Sequence, residues 1–298
     1  MRIIIIAGAF LMVAALCIAG CSEPSGGEGK TVVVGAKTFN EQYILAEMAG
    51  LLLEDAGYQT EMKANLNDLS LYEGIRKDQV DVYIEYTGTA YSQLLKLPTM
   101  DTWEPDLVYD KVAKGLGAEN ITVLSRLGFR DDYTIAVPEA WAEEKGITRV
   151  SELAPYAGDM ILVTDYVFAE REDGLPQVAK IYNFTFKEAK PMSPALMYEV
   201  IKSNEADAIT PYTTDTRVDL YDLRILEDDR AAFPPYHAIL LANDRIAGDE
   251  KAVGALSVLS ERIDADTMRR LNYEFDIDKR EAREIARDYL VAEGLIKA

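Results

Sequence analysis

Four short stretches carry side chains able to do chemistry: GAKTF with Lys37, VDVYIEYTGT with Tyr86 and Thr89, TDYVFAERED with Arg171, and ADAITPYTTD with Tyr212. The first resembles a phosphate loop only superficially. A phosphate loop needs two glycines so that backbone N–H groups can wrap the anion. With Lys37 as the loop lysine, those positions fall on Thr31 and Ala36. Lys37 therefore sits at the mouth of a strand–loop–helix unit for another reason. The second and fourth stretches echo one another. YEGIRKDQVDVYIEYTGT from Tyr72 and YEVIKSNEADAITPYTTD from Tyr198 match without gaps at Tyr, Glu, Ile, Asp, Tyr and Thr. Each reads as a helix, a polar turn, a short strand and a loop beginning Tyr-Thr, which points to a repeated lobe design. Ligands of open α/β sheets bind outside the carboxyl ends of strands. Two facing lobes would then bring Tyr86 and Tyr212 to one cleft, and the strand ends before Lys37 and before the Asp165–Arg171 loop would each offer a cation. That is the outline of a small-molecule clamp.

The composition removes competing chemistries. Of the two cysteines, Cys17 lies in an apolar leader and Cys21 just after it, so the folded part has no thiol for disulfides, nucleophilic attack or metal binding. His237 is the single histidine, which leaves little for a zinc site or a Ser-His-Asp triad. No G-x-S-x-G and no dinucleotide fingerprint is present. The formal net charge of -20 disfavours nucleic acid as a partner. Its carboxylates are dispersed along helices, as on a solvated surface.

The elements that must position these residues follow from the patterning. VVVGAK, YQTEMKANL, VDVYIEY, NITVLSRL, YTIAVP, MILVTD, ADAIT, LRILE and YHAILLA read as strands, with helical periodicity between most of them. The alternation predicts α/β architecture with largely parallel sheets. Thr38 and Glu41 have capping-box spacing at the start of the first helix, which should end near Gly57. Residues 1–20 have the layout of a secretion signal, one basic residue before an apolar run that ends in small residues. Ile18-Ala19-Gly20-Cys21 resembles a lipobox, making Cys21 the lipidation candidate and residues 21–30 a flexible tether. An uncleaved membrane anchor is the alternative. The remaining chain, roughly 270 residues, exceeds what one core usually holds, so two lobes are expected.

GAKTFNEQYILAEM, VDVYIEYTGTA, FAEREDGLP, ADAITPYTTD and LEDDRAAFPPYHA, in this order from Lys30 onward, resemble the substrate-binding proteins of ABC importers for glycine betaine and related quaternary amines. The resemblance implies a two-lobed periplasmic-binding-protein fold, type II-like, with two crossovers. Lobe 1 would take 31–131 and 237–298, and lobe 2 would take 132–236. It also implies an aromatic box of Tyr86, Tyr133, Tyr212 and Tyr236 around a trimethylammonium group. A carboxylate clamp of Lys37, Thr89 and Arg171 is implied with it, and Asp131 would offer a backbone carbonyl. The implied protein is a monomeric, non-enzymatic receptor without cofactor or metal. It would be lipid-anchored on the outer face of the cytoplasmic membrane and would deliver its ligand to a permease.

These residue types suit that chemistry. A quaternary ammonium has no N–H to donate, and aromatic faces offer it apolar area and a negative quadrupole together. A carboxylate needs the opposite, and a guanidinium can hold it bidentately. Bland readings stand beside these. Tyr43, Tyr58, Tyr72, Tyr182, Tyr198 and Tyr221 read as packing faces, and His237 as packing beside the box. Arg171, within AEREDG, has a surface ion pair as its alternative, and Lys37 a structural role. Asp131 competes with its neighbour Asp132. Proline betaine and carnitine carry the same two groups as glycine betaine, and choline lacks the carboxylate. An enzyme acting on small quaternary amines is the remote alternative.

Overall fold

The computed structural model describes residues 31–101 and 103–297, so the expected signal segment, the tether and Cys21 lie outside the described residues. Ten strands are found among them: β1 (Thr31–Gly35), β2 (Gln59–Lys63), β3 (Val82–Tyr86), β4 (Ile121–Arg130), β5 (Ile135–Pro138), β6 (Ile161–Thr164), β7 (Glu188–Pro191), β8 (Ala208–Ile209), β9 (Leu223–Leu226) and β10 (His237–Asn243). They form two five-stranded sheets with helices packed on them, in the orders β2-β1-β3-β10-β4 and β7-β6-β8-β5-β9. The two orders are the same pattern written twice. In each, the first two pairings are parallel and the last two antiparallel. The sheets are thus mixed rather than largely parallel. β10 and β5 cause this, because each enters its sheet from a crossover and runs against its neighbours. The architecture is α/β and two-lobed.

The echoed segments explain how each lobe orients its third strand. Asp78 and Asn204 both take the left-handed conformation, with φ of 54° and 59°, in the turn after the helices Asp68–Arg76 and Pro194–Lys202. Short polar side chains tolerate that region best after glycine. Just before the strand, Asp81 Oδ2 accepts from Val33 N and Asp207 Oδ2 from Ile161 N, each at 2.7 Å. One carboxylate per lobe thereby ties the incoming strand to the one beside it. β3 is buried along its whole length, and Val34, Val82, Ile84 and Leu240 lie in the core under the helix Asn40–Asp55.

That helix starts differently from the sequence expectation. Its N-cap is Phe39, without a side-chain cap bond, and Thr38 lies outside. Glu41 is drawn into the interior by other partners, so the capping box does not form. The helix ends at Asp55, and Gly57 follows with φ of 87°, near the expected stop. β7 went unread because its sequence, EAKP, is a largely exposed edge and owes its strand state to pairing with β6.

The chain leaves the first sheet after β4 and returns at β10, and its two crossings are laced together. Asp131 N donates to Tyr236 O at 3.0 Å, and Tyr236 N donates to Asp132 Oδ1 at 2.7 Å. No described helix is long and apolar enough to cross a membrane.

Candidate functional site

Strand ends and crossovers deliver the candidate residues. Lys37 follows β1, Tyr86 ends β3, Asp165 follows β6, and Tyr212 stands three residues beyond β8. Asp131, Tyr133 and Tyr236 belong to the crossing segments. All eight expected ligand-site residues except Tyr212 are buried, and Tyr212 is half-buried.

Three of the four expected rings meet. Tyr133 lies 4.9 Å from Tyr212 and 5.5 Å from Tyr236 between centroids, the second pair edge to face. The Tyr133 and Tyr212 hydroxyls are hydrogen-bonded at 3.2 Å, and the two residues form an isolated antiparallel bridge. Phe168 backs Tyr133 at 4.8 Å and Phe233 stacks behind Phe168 at 5.8 Å, so the rings stand on an aromatic floor. Tyr236 lies flat on the turn Thr87–Thr89. A Cβ on Gly88 would come within 2.6 Å of its ring, so only glycine fits there.

Tyr86 approaches from the other sheet and is fixed by its own side. Its ring stacks on Phe39 at 6.2 Å. Its hydroxyl donates to Glu41 Oε1 at 2.5 Å and accepts from Gln42 Nε2 at 3.1 Å. Burial, with the nearby carboxylates of Glu41 and Asp131, pushes this phenol well above the usual tyrosine range, so it remains a neutral donor. Glu41 also accepts from Asn272 Nδ2 at 3.0 Å, and Asp131 accepts from Thr214 Oγ1 at 2.7 Å. Burial raises the pKa of both acids, and the Glu41 charge raises that of Asp131 further, which favours a proton on one of them.

The two expected clamp cations are already matched. Lys37 Nζ bonds to Glu85 and lies 2.8 Å from Asp68, and it sits 5.2 Å over the Tyr86 ring. Burial would lower the lysine pKa, but the two carboxylates outweigh it and raise it. Burial pushes Glu85 up to about 7 against the pull of Lys37, which leaves the more exposed Asp68 as the better counter-charge. Arg171 makes a buried two-pronged ion pair with Asp173, both contacts at 2.8 Å. The Nη2 that binds Asp173 Oδ2 also donates to Ser92 Oγ, again at 2.8 Å. Its guanidinium lies 5.7 Å from the Tyr133 ring and 5.6 Å from the Tyr236 ring. Ser92 belongs to the turn below β3 and Arg171 to the segment after β6, so this contact bridges the two lobes.

Three cavities adjoin candidate residues. One of about 280 Å³ is lined by Phe39, Glu41, Asp131, Tyr212 and Arg217, one of about 350 Å³ by Asp132, Tyr133, Phe233 and Pro235, and one of about 330 Å³ by Ser92, Lys96, Arg171 and Asp173. A larger groove of about 610 Å³, at Leu220, Arg269 and Tyr273, contains none of the candidate residues. His237 is half-buried beside Arg130 and Arg126, and its pKa is lowered to about 4, first by burial. No described group of His, Cys, Asp or Glu is arranged to hold a metal ion.

Glu41, Glu85, Asp173, Phe168 and Phe39 join the site in addition to the residues expected from the sequence. AEREDG held the one usable signal, an acid two residues after Arg171, although the pair it makes is buried rather than superficial.

Known proteins resemble this chain in sequence and in fold. Residues 30–292 match the family described as the substrate-binding domain of ABC-type glycine betaine transport systems. The chain is 30% identical over 271 residues to an ergothioneine transport permease/ergothioneine binding protein of Helicobacter pylori, covering 90% of this chain but 48% of that protein. It is also 30% identical over 288 residues to the carnitine transport binding protein OpuCC of Listeria monocytogenes, covering 94% of this chain and 93% of that one. A crystal structure of a glycine betaine/carnitine/choline ABC transporter superposes with a TM-score of 0.79 at 26% identity, covering 89% of this chain and 99% of that one.

Proposed function

The chain belongs to the family of substrate-binding domains of ABC-type glycine betaine transport systems, and from that premise we propose that it captures glycine betaine or proline betaine by lobe closure. It is a substrate-binding protein of an ABC transporter for betaine-, carnitine- or choline-type solutes. Its homologues are transport proteins rather than enzymes, and they imply a permease as partner.

In the proposed site Tyr133, Tyr212 and Tyr236 receive the trimethylammonium group and closure brings Tyr86 against it. The Asp131 carbonyl faces the cation. Arg171 holds the carboxylate, with Lys37 and Thr89 beside it. The observation that carries this reading is the cluster of three rings at centroid distances of 4.9 and 5.5 Å, with a guanidinium at its rim. Each cation–ring contact contributes about 0.5–2 kcal/mol when desolvated. Each charge-assisted hydrogen bond adds about 1.5–3 kcal/mol. At the middle of these ranges the contacts total about 12 kcal/mol, above the roughly 8 kcal/mol that micromolar binding requires and with a margin for ordering costs. A ligand that touches both lobes favours the closed state, because only that state makes all of the contacts. We place the lobe boundaries at 31–131 with 237–298 and at 132–236. Lipidation of Cys21 would moor the monomer outside the cytoplasmic membrane.

Calorimetric titration with glycine betaine and with choline at matched salt tests the site. The expected result is tighter betaine binding. Comparable affinities keep the rings and remove the clamp, and silence with both removes the ligand class. Tyr212→Ala should weaken binding by at least about tenfold. Tyr182→Ala should not, because its hydroxyl is bound to Asp228 away from the cage. Equal losses would overturn the cage assignment.

A further inference from the structure

Asp165 is the first residue after β6 and the N-cap of the helix Tyr166–Glu170. Its Oδ1 is fully used, accepting from Val167 N at 2.8 Å and Phe168 N at 2.9 Å. Its Oδ2 is buried and has no hydrogen-bond partner. A buried carboxylate oxygen without a partner is costly and calls for an account. The same short helix sets Phe168 against the Tyr133 ring. Burial raises the pKa of Tyr133 and Tyr212, and the Asp165 carboxylate acts on both phenols to raise them further. Burial raises the pKa of Asp165 itself, and the Tyr133 hydroxyl opposes that rise.

The proton count supplies the account. Tyr133 and Tyr212 bring two hydroxyl protons to a pair that uses one between them. The other proton needs an acceptor. If Tyr212 donates to Tyr133, then Tyr133 is free to turn its proton toward the idle oxygen of Asp165. Both hydroxyls are then oriented, and both rings are fixed at their far ends. A hydroxyl donating to an anion also enriches its own ring, which strengthens the face offered to a cation.

The charge balance around the rings points the same way. Arg171 lies over Tyr133 and Tyr236 and would repel an incoming cation, and Asp173 already neutralises it. Asp165 is an additional negative charge behind the cage, on the side of Tyr133 and Tyr212. An aromatic cage alone also accepts a neutral tert-butyl group, whose shape and apolar area match those of trimethylammonium.

We infer that Asp165 is a positioning and specificity-determining residue: it sets the donor direction of the Tyr133–Tyr212 hydroxyl pair and makes the cage select a cationic head over a neutral one of equal shape. The inference rests on the reading of these rings as the cation site.

The test is Asp165→Asn, which keeps a good helix cap and nearly the same shape while removing the charge. The affinities of choline and of its uncharged carbon isostere, 3,3-dimethylbutan-1-ol, are measured for both proteins by calorimetry. Choline should be preferred by the unmodified protein, and that preference should shrink by about tenfold in the variant, with little change in melting temperature. Tyr133→Phe should shrink the preference as well, and Asp165→Asn should then add little to it. This second variant also serves if the first folds poorly. An unchanged preference in both variants overturns the inference while leaving the cage intact. Failure of the unmodified protein to bind glycine betaine, choline and carnitine alike would overturn the cage reading and this inference with it.

Discussion

The two lobes share one blueprint and differ in how they finish it. Both sheets have the same strand order, both turns place a polar residue in the left-handed region, and both incoming strands are tied by an aspartate. The blueprints diverge at the strand ends. Lobe 1 ends in a tyrosine held by Glu41, Gln42 and Phe39, and its cation, Lys37, is shared by two carboxylates. Lobe 2 ends in a tyrosine whose hydroxyl meets another tyrosine, and its cation, Arg171, is matched by one carboxylate and reaches across the cleft. Repetition thus supplies the frame, and the residues after each third strand divide the work. Lobe 1 offers one rigid ring, and lobe 2 with the crossovers offers an aromatic surface.

The largest expected difference is between the two cations. Arg171→Ala should weaken glycine betaine binding by about 10- to 100-fold and choline binding much less. Lys37→Met should change betaine affinity by less than about tenfold and should chiefly lower stability, because Glu85 is left buried without its counter-ion. Titrations and thermal melts of both variants decide this, and equal losses of betaine affinity would return Lys37 to a full share in the clamp.

A smaller difference separates the two strand-tying aspartates. Asp81 is 2% exposed and also accepts from Asn243 and Arg245, whereas Asp207 is exposed and accepts from Ile161. Asp81→Ala should cost about 3 kcal/mol and Asp207→Ala about 1 kcal/mol in urea unfolding. Equal costs would mean that the lobes are stabilised alike. The smallest effect concerns the left-handed turns. Asn204→Gly should stabilise by up to about 1 kcal/mol. Asp78→Gly should gain less, since Asp78 Oδ1 accepts from Asn243 Nδ2 at 3.0 Å.

Much of the frame was legible because the signals are local. The echo placed Asp78 opposite Asn204 and Asp81 opposite Asp207, and these pairs do the same backbone work. β7 was not legible, since its residues, Glu188 to Pro191, become a strand by pairing. Glu41 has the spacing of a capping residue, and local spacing cannot reveal that Tyr86 and Asn272 are better partners. The pairing of Lys37 with Glu85 spans 48 positions, beyond the reach of any short motif.

The lacing of the two crossovers bears on timing. Asp131, Asp132 and Tyr236 hold the crossing strands to one another, and Tyr133 and Tyr236 stand on or beside that junction. Rotation about it should leave the Tyr133–Tyr212 pair assembled while carrying Tyr86 and Ser92 away, with Tyr236 held at the junction against the Thr87–Thr89 turn. In the proposed cage a solute would then land first on a surface that exists before closure. Arrival rates should vary little among related solutes, and discrimination should appear in how long each one stays, which is set by whether Tyr86 and the Arg171–Ser92 contact can latch behind it.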